Sequence, residues 1–267
     1  MKKFLTALLL ITLLLTLTAC NIPAKSFMSK AQANSLAKEY GTPQAEMTLK
    51  YKTSSSGDEV VVKIIYDLLL DKAPLAVTRF IQIANDDGYN ETIVDTLNKD
   101  HDYLIMGRYK KIDTKYYDMR SGGGTFAGEF KQNRYKQPKG GYAQFDMFSL
   151  AMYHANDGAH FDSADGTLIL SLTSNENKKL NFANYAVFAQ LAKISVSVNG
   201  GNFDDYTKVP SFVRENLYSF SARVSRNIYD AYDDSKSSVS VQVMSTSVTL
   251  TVSILGNKDW SKLPTIG

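Results

Sequence analysis

The order in which strand-like and helix-like segments follow one another constrains this chain more than any other feature. Glu59–Leu68 is a Val- and Ile-rich run that predicts a strand. Asp71-Lys72-Ala73-Pro74 then predicts a helix start, because proline lacks the N–H that a first helical turn leaves unbonded. Val77, Phe80, Ile81 and Ala84 give that helix one apolar stripe, and Gly88 ends it. Short apolar runs at 103–106, 148–152, 167–172 and 186–191 predict further strands, and a short strand is also expected at 46–51. Pro210 opens a second helical pattern that runs to about residue 232. Segments 238–244 and 247–255 alternate small polar residues with Val, Leu and Ile, as paired strands do. No internal repeat is visible. This order predicts a mainly β fold: a closed antiparallel β-barrel of about eight strands capped by two helices.

The first twenty residues read as an address rather than as structure. Lys2-Lys3 precedes a leucine-rich run of about 14 residues, shorter than the ~20 a spanning helix needs. It ends in Leu17-Thr18-Ala19-Cys20, which resembles the lipobox of bacterial lipoproteins. That resemblance implies cleavage before Cys20, acylation of its thiol and of the new amino terminus, and so a two-chain lipid anchor. Cys20 is the only cysteine in 267 residues, so no internal disulfide can form. The expected location is the cell envelope, facing away from the cytoplasm. Where two membranes exist, Asn21 after the cysteine leans toward the outer one. Loss of Lys2 and Lys3 with the leader brings the 30 basic residues to 28, against 27 acidic. With charges balanced and no basic block, nucleic-acid binding has no electrostatic support. The expected organisation is a leader at 1–19 and a lipidated cysteine with polar tether at 20–57. The barrel domain follows at 58–256, with a helical insertion at about 200–235, and a tail at 257–267.

Lys63-Ile64-Ile65-Tyr66-Asp67, followed by the run from Ala73-Pro74-Leu75-Ala76-Val77-Thr78-Arg79-Phe80 to Ala84, is similar to the first strand and helix of cyclophilins. Gly88-Tyr89-Asn90-Glu91-Thr92-Ile93-Val94 resembles that family's turn into its third strand. Ser121-Gly122-Gly123-Gly124 resembles its Gly-rich loop, and Glu129-Phe130 the pair after it. Phe148-Ser149-Leu150-Ala151-Met152 is similar to a strand the family writes Leu-Ser-Met-Ala-Asn. Leu180-Asn181 and Tyr185-Ala186-Val187-Phe188-Ala189 look like its late Val-Phe motif. The resemblance covers about residues 59–195 and implies a barrel-shaped peptidyl-prolyl cis-trans isomerase, with no cofactor, acting on proline-containing segments.

The active-site positions depart from the family pattern. Where the family has its working arginine, this chain has Thr96 in Val94-Asp95-Thr96. The Phe-Met-x-Gln-Gly tract becomes Tyr103-Leu104-Ile105-Met106-Gly107, which puts Met106 in the glutamine's place. Ser-Gln-Phe-Phe becomes Gly166-Thr167-Leu168-Ile169, and the late histidine becomes Tyr185. The resemblance therefore implies a proline cup of Tyr103, Leu104, Ala151, Thr167, Ile169, Leu180 and Tyr185, with Thr96, Met106 and Arg108 at the catalytic positions. Arg108 lies two residues from Met106, so a continuous strand would turn both to one face and offer a substitute cation.

The chemistry needs neither nucleophile nor metal. Rotation about an X–Pro bond crosses a barrier of ~18–20 kcal/mol set by amide resonance. A dry apolar pocket favours the twisted, less polar amide. A charged donor at the prolyl nitrogen contributes on the order of 2–4 kcal/mol, and the hydroxyl of Thr96 is too short to replace it. Binding without full turnover is the expectation. Two readings follow: an isomerase assisting folding of exported proteins, with weakened activity, or a non-catalytic lipoprotein that grips proline segments or a partner.

Other chemistries find little support. His101, His154 and His160 do not have zinc-site spacing, and no metal is expected. The acidic turns near 157–166 lack the calcium-loop pattern. Ser149 lacks the glycines of a nucleophile elbow. No marked carboxylate pair suggests a glycosidase.

Overall fold

The computed structural model describes residues 27–54, 56–100, 102–120, 124–130, 133–136, 140–154, 163–173, 185–203, 208–219, 222–245 and 247–264. The leader, Cys20, Leu180, His101 and His160 lie outside the described residues, as does most of the Gly-rich loop.

Among the described residues, twelve strands form one sheet. They are β1 (Gln44–Lys52), β2 (Glu59–Leu68), β3 (Thr92–Asn98), β4 (Tyr103–Ile112), β5 (Lys115–Asp118), β6 (Leu150–Met152), β7 (Leu168–Ser171), β8 (Val187–Val198), β9 (Gly201–Asn202), β10 (Arg223–Asp230), β11 (Val239–Met244) and β12 (Thr249–Leu255). Eight of them close a ring in the order β4-β3-β12-β1-β2-β8-β6-β7, and β7 pairs back onto β4. Every pairing in the ring is antiparallel. The expected closed barrel is the observed fold. Strands β5, β10 and β11 leave it as a wing from β4, with β10 parallel to β5.

Alternation on the strands fills the barrel. Met47 and Leu49, Val62, Ile64 and Tyr66, Leu250 and Val252 point into one buried cluster. The helix Pro74–Asn85 adds Val77, Phe80 and Ile81 to it, and Phe80 lies 5.1 Å from the Phe188 ring. That helix has no side-chain cap of its own. The carboxyl group of Glu129 fills the role instead, its two oxygens accepting from the Leu75 and Ala76 N–H groups at 3.0 Å each.

Three expectations need correction. Residues 27–57 are not mostly tether: Lys30–Tyr40 is a helix with a Ser29–Gln32 capping box, and Gln44–Lys52 is a full barrel strand between β2 and β12. The helix buries only Ala33, Leu36 and Tyr40, so its polar composition hides it. The second helical pattern is a helix only over Val209–Ser219 and then becomes β10. The tail also packs: Trp260, in a 3₁₀ turn, stacks on Tyr40 at 4.9 Å.

Candidate functional site

The pleat sorts neighbouring residues of four strands into two clusters. Leu104 and Met106, Leu150 and Met152, Leu168 and Leu170, and Phe188 belong to the barrel interior. The residues between or beside them form a second, separate cluster: Ala151, Ile169, Val187 and Phe145 buried, with Tyr103, Ala143, Tyr153 and Tyr185 packed against them and partly exposed. Opposite faces of one sheet carry the two sets, so the second cluster lies on the outside of the barrel.

Register gives this outer surface its order. Thr96 pairs with Ile105, Ile105 with Ile169, Ile169 with Ala151, and Ala151 with Val187. Directly opposed residues share a face, so these five side chains form one row across β3, β4, β7, β6 and β8. Tyr103 sits two residues from Ile105 and accepts a hydrogen bond from the Asn98 side chain at 3.2 Å. Tyr185 packs edge-on to Phe145 at 6.1 Å and against the buried His154 at 5.0 Å. His154 in turn stacks on Phe130 at 4.7 Å. Burial pushes the Tyr103 hydroxyl's pKa up, and that of Tyr185 up to about 12. Both stay neutral donors at physiological pH.

The structure thus gathers Tyr103, Ala151, Ile169 and Tyr185 from the sequence-derived cup. Thr167 is buried beside them; its carbonyl accepts from the Tyr153 N–H at 2.8 Å, and its hydroxyl has no hydrogen-bond partner among the described residues. Leu104 and Met106 do not belong to the cup. Both are fully buried in the barrel interior, where Met106 pairs with Leu168 and Leu104 with Leu170. Ile105, next to Met106, is the residue that faces the row.

Arg108 does not reach the row either. Gly107 has φ +85°, and the β3–β4 register shifts on both sides of Val94, so the alternation assumed between Met106 and Arg108 is broken. Arg108 donates from Nε and Nη2 to Asp118 Oδ2 at 3.0 and 2.8 Å, and its Nη1 lies 3.9 Å from Asp165. Burial disfavours its charge, but the hydrogen bond and charge of Asp118 outweigh that and hold it firmly protonated. Asp95, the extra residue between Val94 and Thr96, is buried without a side-chain hydrogen bond. Desolvation pushes its carboxyl well above the usual range, against the pull of Arg108 and with the push of Asp118. The Tyr109 N–H faces it without completing a hydrogen bond.

One side chain beside the row was not visible from the sequence. Arg223, the first residue of β10, donates from Nη2 to Thr96 Oγ1 at 2.7 Å. No local motif marks it, because the wing brings it across from 127 positions away. Among the described residues no group of three or more His, Cys, Asp or Glu is arranged to hold a metal.

No protein-family model matches the chain, and no curated relative matches it. Three solved structures with a similar course of chain are those of cyclophilins. A Cryptosporidium parvum cyclophilin-type peptidyl-prolyl cis-trans isomerase aligns at 14% identity, over 81% of this chain and 99% of its own, with a TM-score of 0.40. The same protein, crystallised in the presence of the dipeptide Ala-Pro, gives 14%, 79%, 99% and 0.39. A Mimivirus cyclophilin gives 13% identity, 80% and 90% coverage and a TM-score of 0.41.

Proposed function

We propose that this chain is a lipid-anchored, cyclophilin-like protein of the cell envelope that binds proline-containing segments of exported proteins and isomerises them weakly. The observation that carries the reading is the Thr96–Ile105–Ile169–Ala151–Val187 row with Tyr103, Tyr153 and Tyr185 packed along it. Aromatic faces over a dry aliphatic floor suit a proline ring, and tyrosine hydroxyls suit the carbonyls beside it. Strand β3 offers Thr96 and β4 offers Ile105 where isomerisation would profit from polar donors, which favours binding over turnover. Spontaneous isomerisation takes tens of seconds or more, so even modest acceleration helps a folding client.

The test is a prolyl isomerisation assay on the purified protein, paired with titration of the same Ala-Pro peptides. Binding with slow turnover supports the reading, binding with none makes it a pure binding module, and no binding removes it. The anchor is tested separately. Cys20→Ala is expected to release the protein from the membrane fraction and to abolish metabolic labelling with a clickable fatty acid. Persistence of either would remove the lipoprotein assignment.

A further inference from the structure

The groove has a charged margin on one side. Arg223 stands on Thr96, at the β3 end of the row, and its contact there is with a neutral hydroxyl. Lys99 directly follows Asn98, whose amide touches Tyr103, and its ammonium lies over the Tyr218 ring at 5.8 Å. Neither cation has a carboxylate partner among the described residues, whereas Arg108 is taken by Asp118, Lys236 by Asp230 and Lys262 by Glu39. Lys99 shares its neighbourhood with Asp102, which accepts from the Tyr218 hydroxyl, whereas Arg223 meets only the neutral Thr96 hydroxyl among the described residues, so Arg223 is the main source of a local field that favours an anion beside the row.

We propose that Arg223 and Lys99 make the groove selective for proline segments carrying a negative side chain, a carboxylate or a phosphate, two or three residues from the proline. The inference rests on the proline-binding reading and adds the substrate class. The spacing follows from the sheet. Thr96 is two strands from Ile169, about 10 Å at the usual ~4.8 Å strand separation. An extended peptide advances ~3.3 Å per residue, so two or three residues carry a side chain from the floor to the guanidinium. Arginine's planar fork presents further N–H donors while one is held by Thr96, which suits a two-oxygen acceptor.

The experiment titrates the purified full-length protein with proline peptides that differ only at those positions: alanine, lysine, glutamate or phosphoserine. Separate peptides place the variable residue before or after the proline. Glutamate is expected to bind about 5–10-fold tighter than alanine in low salt on one of the two sides, with lysine weaker than alanine. Phosphoserine exceeding glutamate identifies phosphate as the preferred source; the reverse identifies carboxylate. The preference is expected to shrink several-fold in about 0.5 M salt, roughly threefold above physiological ionic strength. Arg223→Ala is expected to bring the glutamate-to-alanine ratio close to one, and Arg223→Lys to restore part of it. Equal binding of glutamate and lysine peptides overturns this proposal alone. So does a ratio that survives in the Arg223→Ala, Lys99→Ala double variant. Failure of every peptide to bind overturns it together with the proline reading.

Discussion

Glu129 caps a helix whose first turn lies more than 50 residues before it: its Oε1 accepts the N–H of Leu75, 54 positions earlier, at 3.0 Å while Oε2 takes that of Ala76. Burial nevertheless pushes the Glu129 carboxyl up to about 8, with the two backbone hydrogen bonds pulling the other way. The folded state therefore holds a proton that the unfolded chain releases near the ordinary value of 4.5. Stability from this group is complete below about pH 4.5 and is lost as pH rises toward about 8, at no more than about 1.4 kcal/mol per pH unit. Denaturant titrations across that window are expected to show the decline. Glu129→Gln is expected to flatten it and to cost about 1–2 kcal/mol at low pH, because the amide NH₂ faces a backbone donor. A decline unchanged in the variant would assign it to another group.

Arg108 and Asp95 form the second testable pair. Arg108→Ala leaves Asp118 and the buried Asp95 without their nearest cation, and with side chains 34% and 14% exposed the Arg108–Asp118 bridge lies between surface and core values. A loss of about 1–3 kcal/mol is expected. Asp95→Asn removes a carboxyl whose ionisation the fold resists, so the variant gains on the parent as pH rises above the ordinary carboxylate range and converges with it near pH 4. In the double variant Asp95→Asn recovers part of the Arg108→Ala loss, by at least about 0.5 kcal/mol. Strict additivity would show that the two do not interact. Turnover of proline peptides is expected to be unaffected by Arg108→Ala, since its guanidinium is held by Asp118 away from the row.

What the sequence revealed depended on how each segment buries its apolar side chains. Glu59–Leu68 shows the period of 2 openly through its alternating burial, and Pro74–Asn85 is legible through its apolar content and its proline start, although nine of its twelve residues are buried rather than a single stripe. The helix Lys30–Tyr40 was hidden because only three of its residues are buried, and β10 because Ile228 alone of Arg223–Asp230 is buried. The family resemblance points to strands that do come together, but Leu104 and Met106 fall on the interior face of β4 and not with Tyr103 and Ile169. Counting residues along Tyr103-Leu104-Ile105-Met106 put Met106 at the site, while the bulges around Val94 and the φ +85° of Gly107 decide which parity faces outward. Arg223 had no local signal, since its place beside Thr96 follows from the wing's return to β3.

Thr96 offers a gain-of-function test. Thr96→Arg places a guanidinium on β3 beside Ile105 and next to the apolar floor. A donor of this kind is worth about 2–4 kcal/mol in a water-poor site, so turnover of proline peptides is expected to rise by roughly 30- to 10³-fold. Arg223 loses its acceptor and meets a like charge, so part of the acidic-peptide preference moves to the new side chain. An isomerisation assay with kcat and KM resolved checks this, the gain falling mainly in kcat. Unchanged turnover would show that a missing donor is not what limits the groove.

The opposite faces of β4 give the last prediction. Ile105 lies in the outer row and Met106 in the barrel interior, so the two neighbours should respond differently to substitution. Ile105→Ala removes apolar contact from the row and is expected to weaken peptide binding by about 3–10-fold with a modest loss of stability. Met106→Leu keeps core volume, costs less than about 1.5 kcal/mol, and is expected to leave peptide affinity unchanged. Tyr185→Ala, which strips a ring from the groove, is expected to weaken binding by about 5–30-fold, whereas Tyr185→Phe keeps most of it. Calorimetric titration with one proline peptide, alongside thermal melts of all four variants, makes the comparison. A fall in affinity for Met106→Leu without one for Ile105→Ala would place the groove on the other face of the sheet.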